Sequence, residues 1–403
     1  MLDRSLQVLI STMLSAALLC GCIKSNVNGV IPSYFIISDL ANNRVLVWQY
    51  NPINFSPSAQ IVLGQPDFIS SSANNPSISA QSLNNPISAF FDGTRLFLAD
   101  LANNRVLIWN KMPTVNQQPA DLVLGQPNFY SSLANGGLGF PSAQTFSSPV
   151  GIYSNGHQLF IADKANNRIL IWNEMPSANG QAADAVLGQS SMNTAASGAG
   201  ATGLNGPFGL ISDGYHLFES ETGASRILVW NGLPSATQTP ASVVLGWLTM
   251  GAKGAVPTPS AYSLFQPRFM CTDGTHLLVG DGADARGLIW NSIPLVNDQP
   301  ADVVVGKPDF VTTTGTTSQS IFSVTGGACG ANKLFLASFA ENRVVGYNSY
   351  PRVNGQAADF VIGQNDFIST TPNPFGVTGA SLSSAWTAVT NEGYPGVWRP
   401  GGY

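Results

Sequence analysis

Apolar residues along this chain fall in short runs cut by Asn, Gly and Pro, and the cuts recur at a fixed spacing. LFLADLANNRVLIWN begins at Leu96, LFIADKANNRILIWN at Leu159 and FIISDLANNRVLVWQ at Phe35. Looser copies begin at Leu217, Leu277 and Leu334. The Arg of each copy falls at 44, 105, 168, 226, 286 and 343, a spacing of 57 to 63 residues. A second block of the type PADLVLGQPNF follows each copy, with relatives ending at Phe68, Met192, Met250, Phe310 and Phe367. An apolar stretch with a turn pair precedes most copies, as in PISAFFDG from Pro86 and PVGIYSNG from Pro149.

Each unit therefore predicts four short strands. In the second unit these are 87–91, 96–99, 106–109 and 122–125. Asp92-Gly93 supplies the positive φ of a tight hairpin, and Asn103-Asn104 tolerates left-handed geometry in the next turn. The strands are apolar on both faces, so each sheet lies between two others. Six such units predict an all-β, six-bladed β-propeller of four-stranded blades, folding as one domain because no unit covers both faces alone. The first copy lacks a first strand, and a matching one stands at the other end, Trp386–Thr390. The C-terminal strand is expected to complete blade one and close the ring, removing a sheet edge.

The pattern D-x-A-N-N-R-V-x-x-W after an apolar strand resembles the NHL repeat, from Tyr34 to about Trp398. The LGQPxF block is similar to one in exported bacterial proteins of that type. The resemblance implies a binding platform, and propeller lyases or lactonases as neighbouring families. The N-terminal segment is read separately. Leu6 to Leu19 is apolar and too short to span a membrane, which fits a signal peptide. Leu19-Cys20-Gly21-Cys22 resembles the bacterial lipobox, with Cys22 as the lipidated residue. The expected organisation is a signal at 1–21, lipidated Cys22 and a tether over 22–33, the propeller over 34–398 and a tail over 399–403. The expected location is the bacterial cell envelope, at the outer membrane.

Composition narrows the chemistry. Of 403 residues only 10% are charged, with 17 Lys and Arg against 22 Asp and Glu, a net charge of −5. That argues against a nucleic-acid surface. Three His and four Cys are too few for a Cys/His zinc framework. Most acids recur by blade. The turn acids Asp39, Asp100, Asp163, Glu221 and Asp281 stand five residues before Arg44, Arg105, Arg168, Arg226 and Arg286. Arg343 has Ser338 there instead. These positions read as structural, accepting turn amides or pairing with the Arg.

Apart from Asp3 in the N-terminal segment, six acids remain outside the repeat columns: Glu174, Glu219, Asp284, Asp298, Glu341 and Glu392. Glu219 replaces Leu98, Ile161, Val279 and Leu336 of other blades and shares a strand face with Glu221. With Asp281 and Asp284 in the next blade, the four are the candidate ligand or cation site. His157, His216 and His276 fall at one hairpin register and read as solvated turn residues. Cys271 and Cys329 lie on or near first strands of adjacent blades, and the sequence leaves a disulfide or two buried thiols open. No catalytic residues are assigned. No cofactor is expected, a divalent cation being the alternative. The function expected is a platform for a protein, peptide or glycan on the face of the long loops 127–146, 190–205, 247–266 and 308–323. A metal-dependent propeller enzyme and a structural surface protein are the alternatives.

Overall fold

The computed structural model describes residues 34–49, 58–252, 258–330, 333–374 and 376–390. The predicted signal, Cys22, the tether up to 33, Glu392 and the C-terminal tail lie outside them. The described residues form six four-stranded antiparallel sheets and no α-helix. Blade 2 is built from Pro86–Phe91, Leu96–Asp100, Arg105–Trp109 and Leu122–Leu124. Blade 3 runs from Pro149–Ser154 to Ala185–Leu187, blade 4 from Pro207–Ser212 to Val243–Leu245, and blade 5 from Pro267–Thr272 to Val303–Val305. Blade 6 runs from Gly326–Cys329 to Phe360–Ile362.

Blade 1 is the composite one. Ala385–Thr390 pairs antiparallel with Phe35–Asp39, followed by Arg44–Trp48 and Ile61–Leu63. The ring is thus closed by main-chain hydrogen bonds between the two ends of the domain, which give blade 1 the innermost strand that its N-terminal part lacks.

Burial on both faces accounts for the apolar runs. Ile36, Val45, Val47 and Leu63 of blade 1 pack with Phe91, Leu96, Leu98 and Trp109 of blade 2. The same arrangement joins blades 4 and 5, 5 and 6, and 6 and 1. Innermost strands approach closely: a Cβ on Gly151 would stand 2.2 Å from the Phe208 carbonyl oxygen of blade 4. Only glycine fits that approach.

Outer edges are covered by a device that the repeat pattern carries without announcing. After the third strand, a turn reaches back to the fourth strand of the preceding blade. Asn116 Oδ1 accepts the Val62 amide (3.1 Å), and the Gln117 amide donates to the Val62 carbonyl (2.8 Å). Asn179 and Gly180 treat Val123 in the same way, as do Asn354 and Gly355 with Val304. Gln117 and Gly180 have φ of 52° and 60°, the left-handed turn this clamp requires. Each clamp occupies donors and acceptors that an edge strand otherwise offers to another chain.

Candidate functional site

The turn acids and the repeat arginines meet across the hairpin that joins second and third strands. In blade 2, Asp100 Oδ2 accepts Asn103 Nδ2 and Arg105 Nε, both at 2.7 Å, while Oδ1 accepts the Asn84 amide (2.7 Å). Arg105 turns its other nitrogens onto the interblade loops, donating to the carbonyls of Phe129 (2.6 Å), Ser79 (3.0 Å) and Ser82 (2.8 Å). Asn104, left-handed at φ 51°, accepts the Ser148 amide of the next blade on Oδ1 (2.9 Å). Gln126 Nε2 donates back to the Asn104 carbonyl (3.0 Å). Asp100 and Arg105 are fully buried. Burial pushes the Asp100 carboxyl upward, against the lowering effect of Arg105 and Asn103. Asp39 with Arg44 and Asp163 with Arg168 repeat the arrangement at 2.7 and 2.8 Å.

Blades 4 to 6 alter it. In blade 4, Glu221 binds Arg226 Nε and the Asn205 amide. In blade 5, Asp281 Oδ2 accepts Arg286 Nε (2.9 Å), and Asp284 occupies the Asn103 register, 3.4 Å from Arg286 Nη2. Burial first, and then the neighbouring Asp284, push Asp281 up to about 7 against the pull of Arg286. In blade 6, where Ser338 replaces the acid, Glu341 supplies the carboxylate from the Asn register. It accepts Ser338 Oγ, Ser323 Oγ and, at 3.1 Å, the Ser323 amide.

The four acids singled out from the sequence therefore have different surroundings. Glu221, Asp281 and Asp284 each face an arginine of their own blade. Among the described residues no three His, Cys, Asp or Glu side chains stand together in a way that would hold a metal ion. Glu219 is fully buried, and neither carboxyl oxygen makes a hydrogen bond. It lies opposite Leu210 and Leu228 in its sheet, where other blades place aliphatic side chains. Burial, reinforced by the charge of Glu221, raises its pKa well above the usual carboxylate range. Glu219 is thus a buried residue between blades, where burial disfavours its ionised form.

The histidines divide. His216 Nδ1 lies 2.7 Å from Asp213 Oδ2, and His276 Nδ1 lies 2.9 Å from Asp273 Oδ2. His157 stands one residue earlier, and Gln158 occupies the shared register, so the three are not equivalent. His276 stacks on Tyr350 with ring centres 4.4 Å apart, beside a polar cavity of about 700 Å³ that includes Asn291, Asn348 and Arg352. Cys271 and Cys329 form a disulfide with Cα atoms 5.5 Å apart, joining the innermost strands of blades 5 and 6.

The long interblade loops lie on the face of the Asn turns, because the repeat arginines bind them there. On that face Ile69, Tyr130, Val311 and Ile368 hold one position, directly after the last residue of the LGQPxF block, and are 61% to 73% exposed. They belong to blades 5, 6, 1 and 2, which ring closure makes consecutive. Blades 3 and 4 have Asn193 and Gly251 there. Neither this column nor two cations, Lys164 and Arg268, belongs to the acids singled out from the sequence. Both were readable as departures from a repeat position.

No family model matches the chain, and no curated protein matches it. Among solved structures, the chain is similar to one in the crystal structure of a nidogen/laminin complex, at 12% identity and a TM-score of 0.47. That similarity covers 89% of this chain and 98% of the other. It is also similar to a functionally unknown protein from Desulfotomaculum acetoxidans, at 10% identity and a TM-score of 0.42, covering 87% and 97%.

Proposed function

We propose that this chain is an exported, lipid-anchored protein whose NHL-like propeller is a binding platform for a protein or peptide on the Asn-turn face. The observation that carries this reading is the arc of Ile69, Tyr130, Val311 and Ile368. Exposed aliphatic and aromatic side chains repeated over four consecutive blades offer a partner apolar contact at about 25 cal/mol per Å² buried. Their loops are pinned by buried arginines, so little conformational entropy is lost when a partner docks. Aliphatic residues in three of the four places favour a polypeptide over a glycan, which would call for flat aromatic platforms.

Export is supported by the Leu19-Cys20-Gly21-Cys22 ending and by the Cys271–Cys329 disulfide, a bond that persists in oxidising compartments. Replacing Ile69, Tyr130, Val311 and Ile368 together by Ser tests the platform. Wild-type protein is expected to recover a partner from its own cell surface, and the quadruple variant, equally folded by circular dichroism, to recover none. Equal recovery by both would overturn the reading. For the anchor, Cys22→Ser is expected to abolish the lipid mass increment and membrane partition.

A further inference from the structure

Two repeat positions surround the inner end of each blade on the Asn-turn face. One follows the turn acid and holds Leu40, Leu101, Lys164, Thr222, Gly282 and Phe339. The other follows the Pro that opens the innermost strand and holds Ile87, Val150, Phe208 and Arg268 in blades 2 to 5. In each of these four blades it sits in a β-bulge, a device that re-aims a side chain. Charge enters these columns at two places, Lys164 and Arg268.

The two are accommodated together. Lys164 Nζ lies 5.1 Å from the centre of the Phe208 ring, on the blade between them. The Arg268 side chain lies across the turn of its own blade, where a Cβ on Gly282 would stand 2.8 Å from Arg268 Cδ and Nε. Gly282 is what leaves room for it. Burial lowers the Lys164 ammonium, and the nearby Arg268 charge lowers it further. Among the described residues no carboxylate pairs with Lys164. It borders a cavity of about 290 Å³ whose other walls include Ile87, Leu101 and Val150.

Four main-chain amides lining that cavity are already engaged. The Ser148 amide donates to Asn104 Oδ1 (2.9 Å), the Gly206 amide to Asn167 Oδ1 (2.8 Å), the Ala165 amide to the Ser147 carbonyl (3.1 Å) and the Asn167 amide to the Lys164 carbonyl (3.1 Å). Phosphate sites draw on free main-chain N–H groups, and here those four are engaged. The charged group of the lining is the Lys164 ammonium, beside three aliphatic side chains. The volume is at the low end for ligand pockets.

We propose that this cavity binds a small carboxylate, gripped by Lys164 Nζ, with its short apolar stem against Ile87, Leu101 and Val150. The carboxylate belongs either to a free organic acid or to the end of a peptide chain. An anion there compensates the half-buried Lys164 ammonium, whereas a neutral ligand does not. The site is separate from the apolar arc and stands without the platform reading.

The test is calorimetric titration of the full chain in detergent with butyrate, its neutral isostere butyramide, inorganic phosphate, and a blocked apolar dipeptide with free or amidated C-terminus. Butyrate or the free-acid dipeptide is expected to bind at about the millimolar level, at least about tenfold more tightly than butyramide, the amidated dipeptide or phosphate. Tighter binding of the dipeptide assigns the carboxylate to a chain end; tighter binding of butyrate assigns it to a free acid. Lys164→Leu restores the residue of blades 1 and 2, so it is expected to fold with an unchanged or higher Tm and to lose about tenfold or more in carboxylate affinity. The quadruple Ser variant of the rim is expected to bind as wild type does. The proposal is overturned by absence of saturable carboxylate binding, by phosphate binding more tightly, or by a folded Lys164→Leu variant that binds unchanged.

Discussion

Blades 1 to 3 and blades 4 to 6 solve the same problem with different residues. In the first half, an Asp, an Asn three residues on and an Arg five residues on form one buried set, with a Gln donating to the turn from the LGQPxF block. In the second half each blade substitutes something. Glu221 works without an Asn, Asp281 shares Arg286 with Asp284, and Ser338 yields the carboxylate's place to Glu341. The Gln donor is replaced by Trp247 Nε1, which reaches the carbonyls of Ala224 (3.2 Å) and Ser225 (3.1 Å), and by Lys307 Nζ, which reaches those of Gly306 (3.2 Å) and Phe322 (3.1 Å). The innermost strands differ too: a Phe90–Tyr153 edge contact at 5.6 Å links blades 2 and 3, and a disulfide links blades 5 and 6. What the fold requires is therefore a carboxylate and directed N–H donors at fixed places, because buried carbonyls and charges must be satisfied; the residue supplying them is free to vary.

The comparison breaks most readily at the arginines. Arg105→Leu leaves the buried Asp100 carboxylate without its counter-ion and takes the guanidinium donors from three loop carbonyls, a cost of about 3–5 kcal/mol in chemical denaturation. Arg343→Leu is expected to cost less than half as much, since its Nε has no partner and Glu341 is held by serines. Equal losses would mean that the regular set carries no extra stability.

A smaller effect is expected at Glu219. Glu219→Leu places the residue of blades 2 and 6 in an aliphatic interface and removes two unsatisfied oxygens, a gain of about 1–3 kcal/mol near neutral pH. The folded pKa is raised above 4.5, so the wild-type carboxyl opposes folding only as pH rises above that value. The gain should shrink toward about pH 4, and a gain independent of pH would contradict a carboxyl whose ionised form burial disfavours.

The smallest effect sharpens blade 5. Asp284→Asn restores the side chain that donates to the turn acid at 2.7–2.8 Å in blades 1 to 3. It is expected to add about 1 kcal/mol at neutral pH. Asp281 is raised from 3.8 to about 7, so its contribution favours the fold at low pH and is lost as pH climbs between those values. The variant lacks the second carboxylate, and its stability should fall less between about pH 4 and pH 7 than that of wild type. Parallel pH profiles would show that Asp284 does not act on Asp281.

The repeat made the architecture legible in the sequence. Alternating apolar runs, Asp-Gly and Asn-Asn turns and a displaced first strand suffice to predict six blades and the closing strand. The strand limits differ by a residue, as at Pro86 and Ala385, because pairing extends to the residue that opens each bulge. The candidate site was less legible. Glu219 and Asp284 stand out as broken columns, but a column does not say whether an odd residue meets a ligand, an arginine or an apolar wall. Lys164 and Arg268 broke columns just as plainly. They become a pair only when the ring sets blades 3 and 5 on either side of Phe208.

By itself, then, the sequence determined the blade count, the order of the strands, the structural standing of the turn acids and arginines in blades 1 to 5 and the position of the long loops. These follow from local period and from residues three to five apart, which the backbone holds together. Only the tertiary structure decided what crosses between blades: the clamps on the outer edges of blades 1 to 5, the Cys271–Cys329 bond, the burial of Glu219 and the approach of Lys164 to Phe208. Such contacts depend on how neighbouring sheets stack and on what each burial leaves unpaired, and no spacing along the chain encodes that distance.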